Sequence, residues 1–277
     1  MSAVASPALA KLSRPAAVVG IAIVVTFVVL AVFAPWLAPY DPVASDWSAF
    51  RQPPSAEHWF GTDEIGRDVA SRVIWGARAS LIAGVMSVLI AIAIGVPFGL
   101  AAGYAGKAID ATIMRITDGL LAIPSLVLAI ALAGFLGAGL ANATIAIGLS
   151  AMPVFIRLTR GQVLAVRGEL YVDAARALGY SNRRIVLRHI LPNILPALLV
   201  QATVTMAIAI IAEAGLSFLG LGLQPPEPSW GASLNAARNF IAEGPWMSFW
   251  PGLFICVAVF GFNLTGDALR DAFDPQD

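Results

Sequence analysis

The residue types that carry covalent or metal chemistry are scarce in this chain and badly placed for it. Its 277 residues hold two histidines, His58 and His189, and one cysteine, Cys256. A single cysteine excludes an intramolecular disulfide and a thiolate metal cluster. Serine follows glycine at Gly148-Leu149-Ser150 and Gly215-Leu216-Ser217, a pattern that raises the reading of an intramembrane hydrolase. Ser-His catalysis needs both side chains within hydrogen-bond reach, yet hydropathy puts the two histidines in loops on opposite sides of a membrane. Of the two lysines, Lys11 and Lys107, only the second follows a glycine. As a phosphate-binding loop it fails at both ends, because Ala101 stands where the first glycine belongs and Ala108 replaces the Ser or Thr. What remains is charge: seven arginines between Arg157 and His189, and Glu213 at the end of an apolar run.

The elements that hold these charges follow from composition. Hydrophobic residues make up 58% of the chain and charged ones 12%, with a mean hydropathy of +0.81, against roughly 25% charged in an ordinary soluble domain. Lys plus Arg and Asp plus Glu are 17 each, so no basic excess invites nucleic acid. A helix crossing the hydrocarbon needs about 20 apolar residues. Ala16 to Ala34 suffices for one span, and it exceeds the apolar core of a cleavable signal, so it reads as an uncleaved first helix. Further uncharged stretches run over 79–106, 119–156, 190–212 and 244–266. The second of these has 38 positions and divides at the Gly137-Ala138-Gly139-Leu140-Ala141-Asn142 turn signal. The expectation is an all-α integral membrane protein with six transmembrane helices, near 16–35, 80–103, 112–136, 142–160, 190–213 and 246–267. Short tails at 1–15 and 268–277 flank them.

Orientation follows from the cations. With the amino terminus inside, twelve of the seventeen Lys and Arg fall on inner segments, which places both termini in the cytoplasm. Trp36, Trp59, Trp75, Trp230, Trp246 and Trp250 then gather as an outer aromatic belt. Within the outer loop over 36–77, the stretch from Asp68 to Arg78 has a helical apolar face, read either as a helix lying in the interface or as an extension of the second span. The loop from Phe218 to Ser248 predicts turns and a short helix near 232–241. Gly84, Gly95, Gly99, Gly103 and Gly106 mark the second span and Gly134 and Gly137 the third for close helix contact, chiefly within the chain. Pro97 and Pro124 are expected to kink their helices. Arg115 and Asp118 are expected to pair on one helix face, and Asn142, Gln201 and Asn263 to bond between helices. Glu213, Gln201 and Ser217 are the candidates for a translocation path, with a structural role for Glu213 left open. The spans lack the carboxylate or histidine relay of a proton-coupled secondary transporter.

The inner loop over 161–189 has an order beyond its charge. Leu170 to Leu178 forms a helix with an apolar side at Leu170, Ala174, Ala175 and Leu178, Gly179 suits a left-handed cap, and Ser181 can cap a second helix. Such a helix, glycine, helix unit has the shape of a docking element; a merely solvated basic loop is the alternative.

Asp173-Ala174-Ala175, three residues, Gly179, nine residues and His189-Ile190-Leu191-Pro192 resemble the EAA loop of ABC-importer permeases. Asp173 replaces the usual Glu and His189 the usual Ile. Phe60-Gly61-Thr62-Asp63, Gly66-Arg67-Asp68, Gly215 to Gly222 with Gln224-Pro225-Pro226, and Asn263-Leu264 through Asp274-Pro275 are similar to the dipeptide, oligopeptide and nickel branch, the DppC-like permeases. The resemblance runs from Pro39 onward. It implies a type I ABC importer permease of the MetI-like fold, in a bacterial inner membrane, that is not an enzyme. It also implies a homologous DppB-like permease, two ABC ATPase subunits that bind ATP and Mg in place of this chain, and an extracytoplasmic substrate-binding protein. Carried over residue by residue, the ATPase-coupling loop is Tyr171, Asp173, Ala174, Ala175, Arg176, Gly179, Ser181, Arg183, Arg184, Leu191 and Pro192. Ala174, Ala175 and Gly179 take close packing, and Arg176, Arg183 and Arg184 the electrostatics. The lack of a ligand cluster favours peptides over nickel, and glutathione stays open.

Overall fold

A computed structural model of the protein describes residues 14–273. Lys11, most of the tail drawn over 1–15, and Asp274 and Pro275 lie outside the described residues. The chain opens with α1, Pro15–Val32, whose first-turn proline sits where no N–H partner is needed. A single turn, α2, Ala34–Leu37, follows.

Helix α3, Val69–Tyr104, is one continuous helix of 36 residues. Its length, about 54 Å at about 1.5 Å per residue, exceeds the roughly 30 Å hydrocarbon. Asp68 starts it by accepting from the Ser71 N–H at 2.7 Å. Gly76 stays helical and packs against Trp230, and no proline or cap interrupts the turns around Arg78, so the amphipathic stretch is the first part of this helix and not a separate helix lying in the interface.

The third span departs most from expectation. Instead of one helix over 112–136, α4, Lys107–Leu121, and α5, Ser125–Leu136, meet at 89°. Pro124 supplies no N–H and disfavours helical geometry at Ile123, so the break falls there. Pro97, in contrast, stays within α3. Gly137 and Gly139 turn the chain with φ of +91° and +143° into α6, Leu140–Val166.

Helix α7, Leu170–Ala177, is followed by α8, Asn182–Ile185, which passes through a π-helical turn, Val186–Ile190, into α9, Leu191–Phe218. The second loop helix is therefore the first turn of the fifth span. Ser181 precedes it, but through its backbone: its carbonyl accepts from Ile185 at 3.0 Å, and its side chain makes no capping bond. Helix α10, Trp230–Ala237, is capped by Ser229, and α11, Trp246–Phe273, completes the chain.

Packing explains most of the glycines. An added Cβ would stand 2.6 Å from Phe155 at Gly95, 2.5 Å from Thr159 at Gly99 and 2.6 Å from Val163 at Gly103, so α3 and α6 touch backbone to side chain along three turns. Gly84 admits Met206 of α9 in the same way, whereas Gly106 and Gly134 meet nothing within 4 Å. Carboxylates on α4 reach across to α6: Asp110 takes a bidentate bond from Arg160, and Asp118 pairs with Arg157 instead of with Arg115. Gln201 and Asn263 bond within their own helices, to Thr205 and Val259, and Asn142 closes the α5–α6 turn on Leu136 and Gly137. None of these amides links distant helices, because on a helix the groups one turn away are always in reach.

Arg14 at the start of α1 meets Asp271 near the end of α11 at 3.0 Å, which brings the described chain ends together at the end of the bundle that also carries α7, which we call the knob end. Segments 38–68 and 219–245 cover the opposite, loop end. There Trp230 is fully buried, donating to the Val73 carbonyl at 2.8 Å and meeting Phe27 edge-on, so it belongs to the core and not to a belt. Trp36 and Trp59 are largely exposed.

Candidate functional site

At the knob end, α7 ends in a Schellman motif: Tyr180 N–H reaches the Ala175 carbonyl at 3.2 Å and Gly179 N–H the Arg176 carbonyl at 2.9 Å, with Gly179 at φ +76°. The left-handed position is why glycine stands there. Val172 and Ala175 turn inward and join Phe155, Val163, Ile185, Ile190 and Ile194 in one apolar cluster. The apolar side read from the sequence is thus corrected: Ala175 faces the bundle with Val172, whereas Ala174 is exposed and Leu170 and Leu178 stand 85% and 71% accessible. Eight residues supply only two turns, and anchoring by Val172 and Ala175 rotates the two leucines outward.

Around those leucines the surface is basic and held in place. Arg184 lies over the Tyr180 ring at 3.9 Å, Tyr180 stacks on His189 at 5.9 Å, and Tyr104 of α3 donates to Asn182 at 3.1 Å. Arg176 pairs with Asp173 at 2.8 Å, and Arg183 points free of the bundle. Partial burial, together with the Glu169 carboxylate, raises the Tyr171 phenol above its ordinary pKa. Leu191 is half-buried and Pro192 exposed at the base, where α9 begins. Exposed leucines on a turn that also carries Arg176, Arg183 and Arg184 have the composition of a protein contact, apolar residues with arginines.

Of the three candidates for a path, the fold brings Glu213 and Ser217 together and sets Gln201 apart. Glu213 is fully buried, its carboxylate accepting from Ser80 of α3 and from Ser217, each at 2.8 Å. Ser217 is 2% accessible. Together they link α3 and α9 inside this chain. Gln201 alone borders a cavity, of about 140 Å³, with Ser125, Ser150, Thr205 and Ile208 among its walls. The glycine-linked serines are occupied too, since Ser150 donates to the Ile147 carbonyl at 2.8 Å.

The loop end holds a cluster of buried charges, Asp63, Arg67, Asp68 and Arg72. Asp63 accepts from the backbone of Ile65 and Arg67 and from Arg67 Nε at 2.6 Å, while Arg67 also reaches Glu64 at 2.8 Å. Arg72 donates to the Pro42 and Pro226 carbonyls, 2.8 and 3.3 Å away. His58 is held on Asp68 at 3.0 Å. Gly61 and Gly66 turn at φ +76° and +79°, and at Gly66 a Cβ would lie 1.8 Å from the Asp46 carbonyl oxygen. The signal was present as the dense run Gly61-Thr62-Asp63 to Gly66-Arg67-Asp68, in which glycines alternate with charges.

The family described as "Binding-protein-dependent transport system inner membrane component" matches residues 95–276, and "N-terminal TM domain of oligopeptide transport permease C" matches 12–54. The chain belongs to the binding-protein-dependent transport permeases. Within that family it is 47% identical over 260 residues to the dipeptide transport system permease protein DppC of Alkalihalophilus pseudofirmus, covering 94% of this chain and 86% of that one. It is 46% identical to the probable D,D-dipeptide transport system permease protein DdpC of Escherichia coli K12, covering 95% and 88%. A glutathione transport system permease protein, GsiD, of Escherichia coli matches at 46% over 91% and 84%. The inward-facing MetNI methionine ABC transporter shares the fold, with a TM-score of 0.61 at 21% identity over 73% of this chain and 96% of that one. This ABC-importer permease is accordingly a multi-pass, all-helical component of a transporter, of the MetI-like fold, and not an enzyme.

Proposed function

We propose that this permease forms one half of a path for di- or oligopeptides and that the unit from Leu170 to Ile185 is its contact with ATPase subunits. The observation that carries this is the knob itself: α7 is anchored by Val172 and Ala175 while Leu170 and Leu178 are presented outward beside Arg176, Arg183 and Arg184. Because α8 runs without a break into α9, a push on the knob is delivered along a membrane helix and through Tyr104 to α3. ATP and Mg reside in two partner subunits, a homologous permease supplies the other half of the path, and a substrate-binding protein delivers cargo at the loop end. That orientation puts both termini in the cytoplasm of a bacterial cell. Peptide cargo rests on the two relatives named for dipeptide transport, and the glutathione relative is consistent with it, glutathione being a tripeptide.

The test is ATP turnover by the transporter assembled in proteoliposomes. Gly179→Val forces a β-branched residue into a left-handed conformation, and it is expected to abolish cargo-stimulated turnover while leaving membrane insertion intact. Normal stimulated turnover in that variant overturns the coupling role.

A further inference from the structure

A groove of about 970 Å³ runs along the membrane-facing surface between α1, α3, α9 and α11, walled by side chains such as Val28, Val85, Leu89, Met206 and Phe262. Its rim is open, since Val28, Val85 and Leu89 are each about half accessible. At roughly 30 Å³ per molecule, some thirty waters would fill it against apolar walls, which costs far more than hydrocarbon does. Among the described residues the wall contains one charged side chain, Arg78. That guanidinium is exposed and forms no ion pair among the described residues, and it lies over the Trp75 ring, 5.9 Å from its centroid.

The depth of Arg78 decides what can meet it. It stands about 39 Å along α3 from Tyr104, at about 1.5 Å per residue, and the hydrocarbon is roughly 30 Å thick inside about 40–45 Å of headgroup layers. With Tyr104 near one boundary, Arg78 falls in the headgroup layer of the other, at the loop end, while the groove descends from it into the hydrocarbon. A cation at headgroup depth above an apolar channel is complementary to a phosphodiester carrying an acyl chain. No carboxylate lines the groove to meet an ammonium headgroup.

We propose that this groove is a binding site for an anionic phospholipid of the loop-end leaflet, with its phosphate on Arg78 and one acyl chain along α3 and α9. The site requires only that the chain spans a bilayer, and it is independent of the cargo carried. Native mass spectrometry of the assembled transporter tests it, after exchange in an equimolar mixture of phosphatidylglycerol and phosphatidylcholine. The wild type is expected to retain phosphatidylglycerol at least tenfold over phosphatidylcholine. Arg78→Gln should abolish that preference, Arg78→Lys should keep part of it, and Val85→Trp, which fills the groove, should remove the retained lipid of either kind. Unchanged preference in both Arg78→Gln and Val85→Trp overturns the proposal. So does a structure of the assembled transporter in which a helix of the partner permease occupies the groove.

Discussion

The two ends of the molecule use the same charged residue types for opposite purposes. At the loop end, Asp63, Arg67, Asp68 and Arg72 are 3–6% accessible and bonded to each other and to backbone. At the knob end, Arg176 and Asp173 keep 44% and 58% of their side-chain surface, and Arg183 and Arg184 are exposed. Removing one partner of a buried pair leaves an uncompensated charge, whereas an exposed pair is already solvated. The loop end is therefore built to hold a shape, and the knob end to be read by another surface. Stability and coupling should separate cleanly between the two.

The largest effect is expected for Asp63→Ala, which leaves Arg67 with Glu64 as its one carboxylate, takes from Arg72 the carboxylate 3.6 Å away and removes the acceptor of two backbone N–H groups; about 3–5 kcal/mol of stability should be lost, measured as denaturant or thermal unfolding in detergent. An unfolding midpoint within error of the wild type would break the comparison at its root. Next comes Gly99→Val, expected to cost about 1–3 kcal/mol by overpacking, because its Cβ would stand 2.5 Å from Thr159. It belongs to neither end and calibrates the scale. Gly179→Val should cost only about 1–2 kcal/mol, the strain of one left-handed residue, since nothing lies within 4 Å of that position, yet it should silence stimulated ATP turnover. The smallest stability effect is expected for Arg176→Ala, about 0.2–0.5 kcal/mol for an exposed pair three residues apart on a helix. If the knob is read electrostatically, combining it with Arg183→Ala and Arg184→Ala should nonetheless lower turnover and flatten its loss with added salt; wild-type turnover with wild-type salt dependence in that triple variant would leave only the leucines as the contact.

How much of this was legible differs residue by residue. Gly179 was readable as a left-handed cap, because helix ends are local events spanning five or six residues. The glycines of α3 were readable as contact points, but not that Phe155, Thr159 and Val163 would fill them. Glu213 showed only that a carboxylate lay near the end of a span. That it faces Ser80, 133 positions away, depends on the angle between α3 and α9. Asp118 offered Arg115 as the local partner, and the bundle supplied Arg157. The same limit let Pro124 be read as a kink but not as a right-angle break, since hydropathy measures transfer into lipid and not direction.

From sequence alone came the all-helical membrane class, five apolar stretches read as six spans, the basic loop over 157–189, its Gly179 cap and the family resemblance, because burial in lipid and local capping are properties of short windows. Tertiary structure decided which faces are covered: Trp230 inside, Leu170 and Leu178 outside, Glu213 between two helices, and Arg78 alone above an apolar groove. Those outcomes follow from how helices far apart in the chain dock, and docking depends on distances and angles that no single window contains.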